Sequence, residues 1–443
     1  MSATSTDLPS RVDESLAACP QFRILVVGTT GVGKSSLIGS VFNLSLDAID
    51  IAHNRAGRAN ISFGYTCEEN PRFILHDSQG FEHGGANTWG LVEQFLRQRN
   101  ASPDVQDHVH AIWLCIETPR TGSRLQHTGD ENLIALAREL EIPLIVVFTK
   151  FDVLVVERVR KLKLSPDDAL AKAEEALRTR LADEHFPQAG VEWVRISTKH
   201  GHFRTLKELT DVTRQSLHDV EGALWVPWAL AQQINARQKV EQSIKEGCKR
   251  YWLNLSKSTL FEGEVLRDCL WRIYEDIIKI WNFYDPQKLL YKKKTFALTL
   301  KLVEDFMPKT EAELAGDSDF LSQYSDVMTL ATAIGATFAQ ALGAVGIGIM
   351  AAKYLSRKYQ ALPQTARFLG AYIIDLTLVL HNVFLTTLFR DPPRRLSEDI
   401  IEAALTAYDS APVHDRVHEL GKISDMVNFE QRIVALIQKS VPS

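Results

Sequence analysis

From Phe22 to about Glu221 the chain alternates short, β-branched apolar runs with helix-like or polar stretches. The runs are FRILVV, ISFGYTC, RFILH, HAIWLCIE, PLIVVFT and EWVRIS. Near-continuous apolar strands separated by helical segments predict an α/β domain, with a mainly parallel sheet of five or six strands between helices. After Gly222 the β-rich runs stop and helical periodicity continues to the C-terminus. There Leu266, Leu270, Ile273, Ile277, Ile280 and Tyr284 recur at alternating spacings of four and three, which predicts one apolar helix stripe in a bundle core. The expected division is a disordered segment over 1–20, an α/β domain over 21–221 and an all-α domain over 222–443.

Two stretches of the helical half raise the question of a membrane. Residues 327–352, VMTLATAIGATFAQALGAVGIGIMAA, carry no charge, and FLGAYIIDLTLVLHNVFLTTLF carries Asp375 and His381 in its middle. Ala331, Gly335, Ala339 and Gly343 form a small-residue stripe suited to close helix packing. If both stretches crossed a bilayer, Lys353, Arg357, Lys358 and Arg367 would lie opposite the α/β domain, against the positive-inside tendency. The reading is therefore an apolar helical hairpin over 327–389 buried in a helical domain, with peripheral membrane contact as the alternative. Asp375 is its costly group and is expected at a polar contact or in water.

Composition changes little. The chain has 443 residues and a formal net charge of -5, which argues against a nucleic-acid partner. Five dispersed cysteines (Cys19, Cys67, Cys115, Cys248, Cys269) suggest neither a disulfide framework nor a zinc site, so a reducing, cytoplasmic setting is expected. The polar start MSATSTDLPSRVDESLAACP lacks the apolar core of a secretory signal.

The chemistry begins directly after FRILVV. GTTGVGKSS places Gly28, Thr29, Gly31, Val32, Gly33, Lys34, Ser35 and Ser36 in a G-x-x-x-x-G-K-S loop between a predicted strand and a predicted helix. Glycines let backbone N–H groups curl around a β-phosphate, Lys34 neutralises the β- and γ-phosphates, and Ser35 offers a hydroxyl to magnesium. Asp77 and Gly80 in HDSQGF supply a D-x-x-G, with Asp77 as a magnesium residue and Gly80 as the γ-phosphate sensor. In FTKFD, the Asp152 carboxylate can accept both N1–H and N2–H₂ of guanine, and the stem of Lys150 can cover the base.

These elements, with Thr149 where asparagine is commoner and with Ser197, Thr198 and Lys199 in ISTKHG, resemble the P-loop GTPases of the translation-factor-related class. HNRAGRANI, RFILHDSQGFEHGG, HAIWLC, VVFTKFD and KRYWLNLSKSTLFEG are similar to a group of fungal G-domain-containing proteins. The resemblance implies GTP and GDP as ligands, magnesium as cofactor, and a weaker tether between base loop and phosphate loop where Thr149 replaces asparagine. Two letters depart from the pattern. Phe81 stands where many such enzymes place a water-orienting glutamine, and Thr66 falls inside a predicted strand rather than in a switch loop. Segment 45–60 is the expected first switch. Beside Lys34 and Gly80, the catalytic candidates are its Arg55 and Arg58, with Gln79 and His83 further on; a solvated loop side chain is the competing reading for each. Slow hydrolysis, raised by a nucleotide-dependent homodimer or a partner, is the expectation; the alternative is a pseudo-GTPase scaffold that only holds its nucleotide.

Overall fold

The computed structural model describes residues 10–44, 61–62, 64–77, 86–119, 128–182, 190–199, 201–217, 224–256, 266–303, 363–388 and 395–421. The chain divides into two compact units: Ser15–Asn235, and Ala236–Ser443 together with Met1–Glu14.

The first unit holds strands β1 (Phe22–Val27), β2 (Tyr65–Cys67), β3 (Asn70–Asp77), β4 (Ala111–Glu117), β5 (Leu144–Thr149) and β6 (Glu192–Arg195) in the order β2-β3-β1-β4-β5-β6. Every neighbouring pair is parallel except the β2–β3 hairpin. Between and after the strands run α2 (Lys34–Phe42), α3 (Ala86–Asn100), α4 (Thr128–Glu139), α5 (Phe151–Leu162), α6 (Pro166–Ala182), α7 (Phe203–Ser216) and α8 (Trp225–Ala231). Both faces of the sheet are covered, which is why its central strands read as unbroken apolar runs. Phe22, Ile24 and Val26 of β1 join one core with Leu37, Val41, Phe42, Leu209 and Trp228, while Leu25 and Val27 join the other with Phe95, Leu96, Leu133 and Leu177.

Three expectations are corrected. Residues 1–20 are not simply a disordered lead-in, because α1 (Arg11–Ala18) forms within them. The Ser10 hydroxyl accepts from the Asp13 amide at 3.0 Å and donates to Asp276, Val12 is fully buried, and Lys279 pairs with Asp13 at 2.8 Å. The strand expected over ISFGYTC shrinks to Tyr65–Cys67, an edge strand whose register shifts within those residues; Thr66 lies in it and is exposed. The α/β unit also runs on past Glu221 to Asn235, since Trp228, Leu230 and Ala231 of α8 are fully buried.

The second unit contains α9 (Ala236–Ser256), α10 (Leu266–Trp281), α11 (Lys293–Lys301), α12 (Pro363–Leu388), α13 (Glu398–Asp409) and α14 (Pro412–Gly421). The α10 stripe is core, with Leu270, Ile273, Ile277 and Ile280 all at 0% exposure. At Gly247 of α9 a Cβ would stand 2.9 Å from Ile373 Cγ2, so the missing side chain lets α9 and α12 approach closely. Among the described residues, Gly370–Leu388 is long and apolar enough to cross a membrane, but 83% of that window is buried within the protein. The first helix of the expected hairpin lies outside the described residues. Asp375 of α12 is fully buried and accepts a 2.7 Å hydrogen bond from the Tyr408 hydroxyl of α13; burial, and then the charge of Asp375, hold the tyrosine pKa well above its usual value. Tyr408→Phe removes a donor from a buried carboxylate. It is expected to lower the unfolding free energy by about 1–3 kcal/mol, read from urea melts; an unchanged midpoint would contradict the bond's importance.

Candidate nucleotide site

β1 ends at Val27 and the chain turns through Gly28–Gly33 into α2. Three glycines of the turn have positive φ: Gly28 at 152°, Gly31 at 78° and Gly33 at 103°. Gly28 is the tightest. A Cβ there would fall 2.4 Å from the Cys115 carbonyl oxygen of β4, so the loop lies hard against the neighbouring strand. Gly33 precedes α2 and brings no side-chain cap, and the N-terminus of such a helix is the end that attracts an anion. Lys34, only 9% exposed, curls back so that Nζ donates to the carbonyls of Gly28 at 2.8 Å and Thr29 at 3.2 Å. The loop therefore carries its cation at its centre. Ser35 is half-buried at the start of α2, Ser36 is exposed, and Val32 is buried beneath the turn.

Asp77 ends β3 in register with Val26, at the same end of the sheet as the loop. Ser35 and Asp77, whose backbones both lie at this end, are residue types with hard oxygen donors. Together with water and phosphate oxygens they suit magnesium, which seldom has an all-protein cage. Among the described residues no cluster of three His, Cys, Asp or Glu offers another kind of metal site. Gly80, Arg55, Arg58, Gln79, Phe81 and His83 lie outside the described residues.

The second half of the site is built at the ends of β5 and β6. Thr149 is 2% exposed, and its hydroxyl donates to the Val32 carbonyl at 2.6 Å, with Ile116 O at 3.3 Å. The threonine hydroxyl thus makes a direct bond between base loop and phosphate loop, the tether whose strength the sequence put in question. Thr118 secures the Thr149 carbonyl through its amide at 2.9 Å and its hydroxyl at 2.7 Å. Lys150 adopts the left-handed conformation (φ 55°) at the start of α5 and sends Nζ to Glu117 Oε2 at 2.8 Å.

Asp152 is fixed from β6. The Ser197 hydroxyl donates to Asp152 Oδ1 at 2.7 Å while accepting from the Lys199 amide at 3.1 Å, and the Ser197 amide donates to Thr205 Oγ1 at 3.1 Å. Holding one carboxylate oxygen fixes the plane of the group, which is what a bidentate acceptor for a planar N–H/NH₂ edge needs. The structure brings Thr149, Lys150, Asp152, Ser197 and Lys199 together, with Thr198 between the last two. Thr118, Glu117 and Thr205 were not singled out from the sequence. Only the strand register, which sets Glu117 opposite Thr149, reveals the first two as neighbours of the base loop.

Comparison with known families matches residues 23–150 to a model described as 50S ribosome-binding GTPase. Residues 289–441 match a model described as a domain of unknown function. No curated protein matches the chain. The first match supports a P-loop GTPase domain over its span, in keeping with the mainly parallel sheet and its flanking helices, and with it guanine-nucleotide binding.

Proposed function

We propose that the chain is a guanine-nucleotide switch or assembly GTPase of the translation-factor-related class, which binds GTP with magnesium and hydrolyses it slowly to GDP. The observation that carries this reading is the connected base loop: Asp152 held by Ser197 at 2.7 Å, and Thr149 bonded to the phosphate loop at Val32. Asp152 selects the base, the α2 amides and Lys34 take the phosphates, and Ser35 and Asp77 hold magnesium. Bound magnesium supplies positive charge to the phosphate oxygens. Arg55 and Arg58, or an arginine from a second copy of the chain or another protein, are the groups assigned to the chemical step. The cytoplasmic setting belongs to this reading through the dispersed, odd-numbered cysteines of the sequence. Burial pushes the Cys19 and Cys67 thiols up to about 11, away from thiolate reactivity. Membrane contact through 327–389 finds no support in α12, which is core.

The full chain is mixed with magnesium and substoichiometric GTP in a single-turnover assay. Phosphate release above background is expected; none at high protein concentration would leave the pseudo-GTPase scaffold. Asp152→Asn is expected to move binding preference from GTP toward XTP by at least about tenfold. A variant that keeps its GTP preference would remove the guanine assignment.

A further inference from the structure

His76 is fully buried in β3, one residue before the strand end at Asp77. Its ring makes two directed contacts: Nε2 lies 2.8 Å from Arg23 Nη1 of β1, and Nδ1 lies 2.7 Å from the Ile61 carbonyl. A guanidinium can only donate, so Nε2 accepts, and the single ring proton sits on Nδ1 and goes to Ile61. The imidazole is neutral and of one tautomer. Burial acts in the same direction, pulling its pKa down to about 3.

The surroundings leave this ring little freedom. Phe95 of α3 packs on it with centroids 4.8 Å apart, and Arg23, itself 8% exposed, also donates to the Gln106 carbonyl at 3.3 Å. The chain that enters β2 presses on the same spot. A Cβ at Gly64 would lie 2.6 Å from Ile74 Cγ2 and 3.4 Å from both His76 Cε1 and Arg23 Nη1. One ring therefore joins β1, the end of β3, the chain entering β2, and α3, and β3 ends at the next residue. A hydrophobic residue of similar size would fill the same space but fasten nothing.

We infer that His76 is a positioning residue of the nucleotide site: by tying β3 to Arg23 and to the Ile61 carbonyl, it fixes the backbone from which Asp77 is presented, and so sets how much magnesium the nucleotide complex needs. This rests on the guanine-nucleotide reading above. His76 touches neither nucleotide nor metal, and its effect is transmitted through the adjoining peptide.

The test uses the full chain, a fluorescent guanosine triphosphate analogue, and a magnesium titration beside a measurement in EDTA. His76→Phe, which keeps the bulk against Phe95, is expected to raise the magnesium midpoint about tenfold and to leave affinity in EDTA within about twofold of the parent. His76→Gln, which restores a donor and an acceptor, is expected to recover at least half of that shift. Arg23→Gln, an independent loss at the other end of the bond, is expected to raise the midpoint about threefold and serves as the readout if His76→Phe does not fold. Unmoved midpoints in the folded variants overturn the inference, as does an equal loss with and without magnesium, which marks a merely structural ring. A parent protein that binds no guanine nucleotide overturns the functional reading and this inference together, an outcome distinct from a parent that binds and variants that do not shift.

Discussion

Lys34→Ala is expected to weaken binding of guanosine triphosphate on the order of 100-fold, the cost of one or two charge-assisted hydrogen bonds to phosphate. Lys34 is almost fully buried, and its ammonium already sits on the carbonyls of Gly28 and Thr29. Little side-chain entropy remains to be lost when a phosphate arrives, so most of the interaction appears as affinity. The fold should survive the change. α2 is anchored through Leu37, Ile38, Val41 and Phe42, all at 0% exposure, and none of them depends on the lysine. Titration with a fluorescent analogue checks the affinity, and a thermal melt of the apo protein checks the fold. An affinity within threefold of the parent would mean that the loop does not hold phosphate as described.

Local letters decided the centre of the site and the middle of the sheet. β1 is Phe22–Val27, the run marked out by its own apolar letters, because a strand covered on both faces needs apolar residues at nearly every position. The phosphate loop was equally legible, since its glycines answer a local requirement for positive φ that few other residues meet. The elements that were missed depend on distant partners. α1 has only two large apolar residues, Val12 and Leu16, and its start is held through Ser10 and Asp13 by Asp276 and Lys279, far along the chain. β2 looked longer than it is because ISFGYTC is β-prone, whereas an edge strand with a register shift lacks the second neighbour that would extend its pairing. The partner of Thr149 was out of view for a different reason: its buried hydroxyl lies 2.6 Å from the Val32 carbonyl because β5 carries it there, a placement the letters FTKFD do not contain. The ion pair of Lys150 with Glu117 likewise exists only because β4 and β5 are in register at their ends.

The same contrast makes α8 the most instructive element, and Trp228→Ala carries the largest expected loss of stability. WVPWALA follows the last β-rich run and has no strand or nucleotide motif, so the sequence assigned it to the helical half. In the structure Trp228 is at 0% exposure, with ring centroids 4.9 Å from Phe22, 6.3 Å from Phe42 and 6.4 Å from Trp113. Polar bonds reinforce that packing where α2 ends and its last carbonyls have no partner within the helix. Asn70, fully buried, donates one amide to both the Phe42 carbonyl at 3.1 Å and the Ala231 carbonyl at 2.8 Å, and the Gln233 amide donates to the Val41 carbonyl at 2.8 Å. The helix that begins at the phosphate loop is thus finished by residues from the end of the unit. Truncating a fully buried tryptophan to alanine costs about 3–5 kcal/mol, a large share of the stability of an ordinary domain. The expected result is an early urea transition for the nucleotide unit in the full chain. Saturating GDP should recover part of the loss, because a ligand that binds only the folded state stabilises it by mass action. A loss under about 1 kcal/mol would mean that α8 is an appendage and that the unit ends near Glu221 after all. A loss of the expected size would make Asn235 the shortest C-terminal limit from which the nucleotide unit could be expressed with its P-loop helix properly closed.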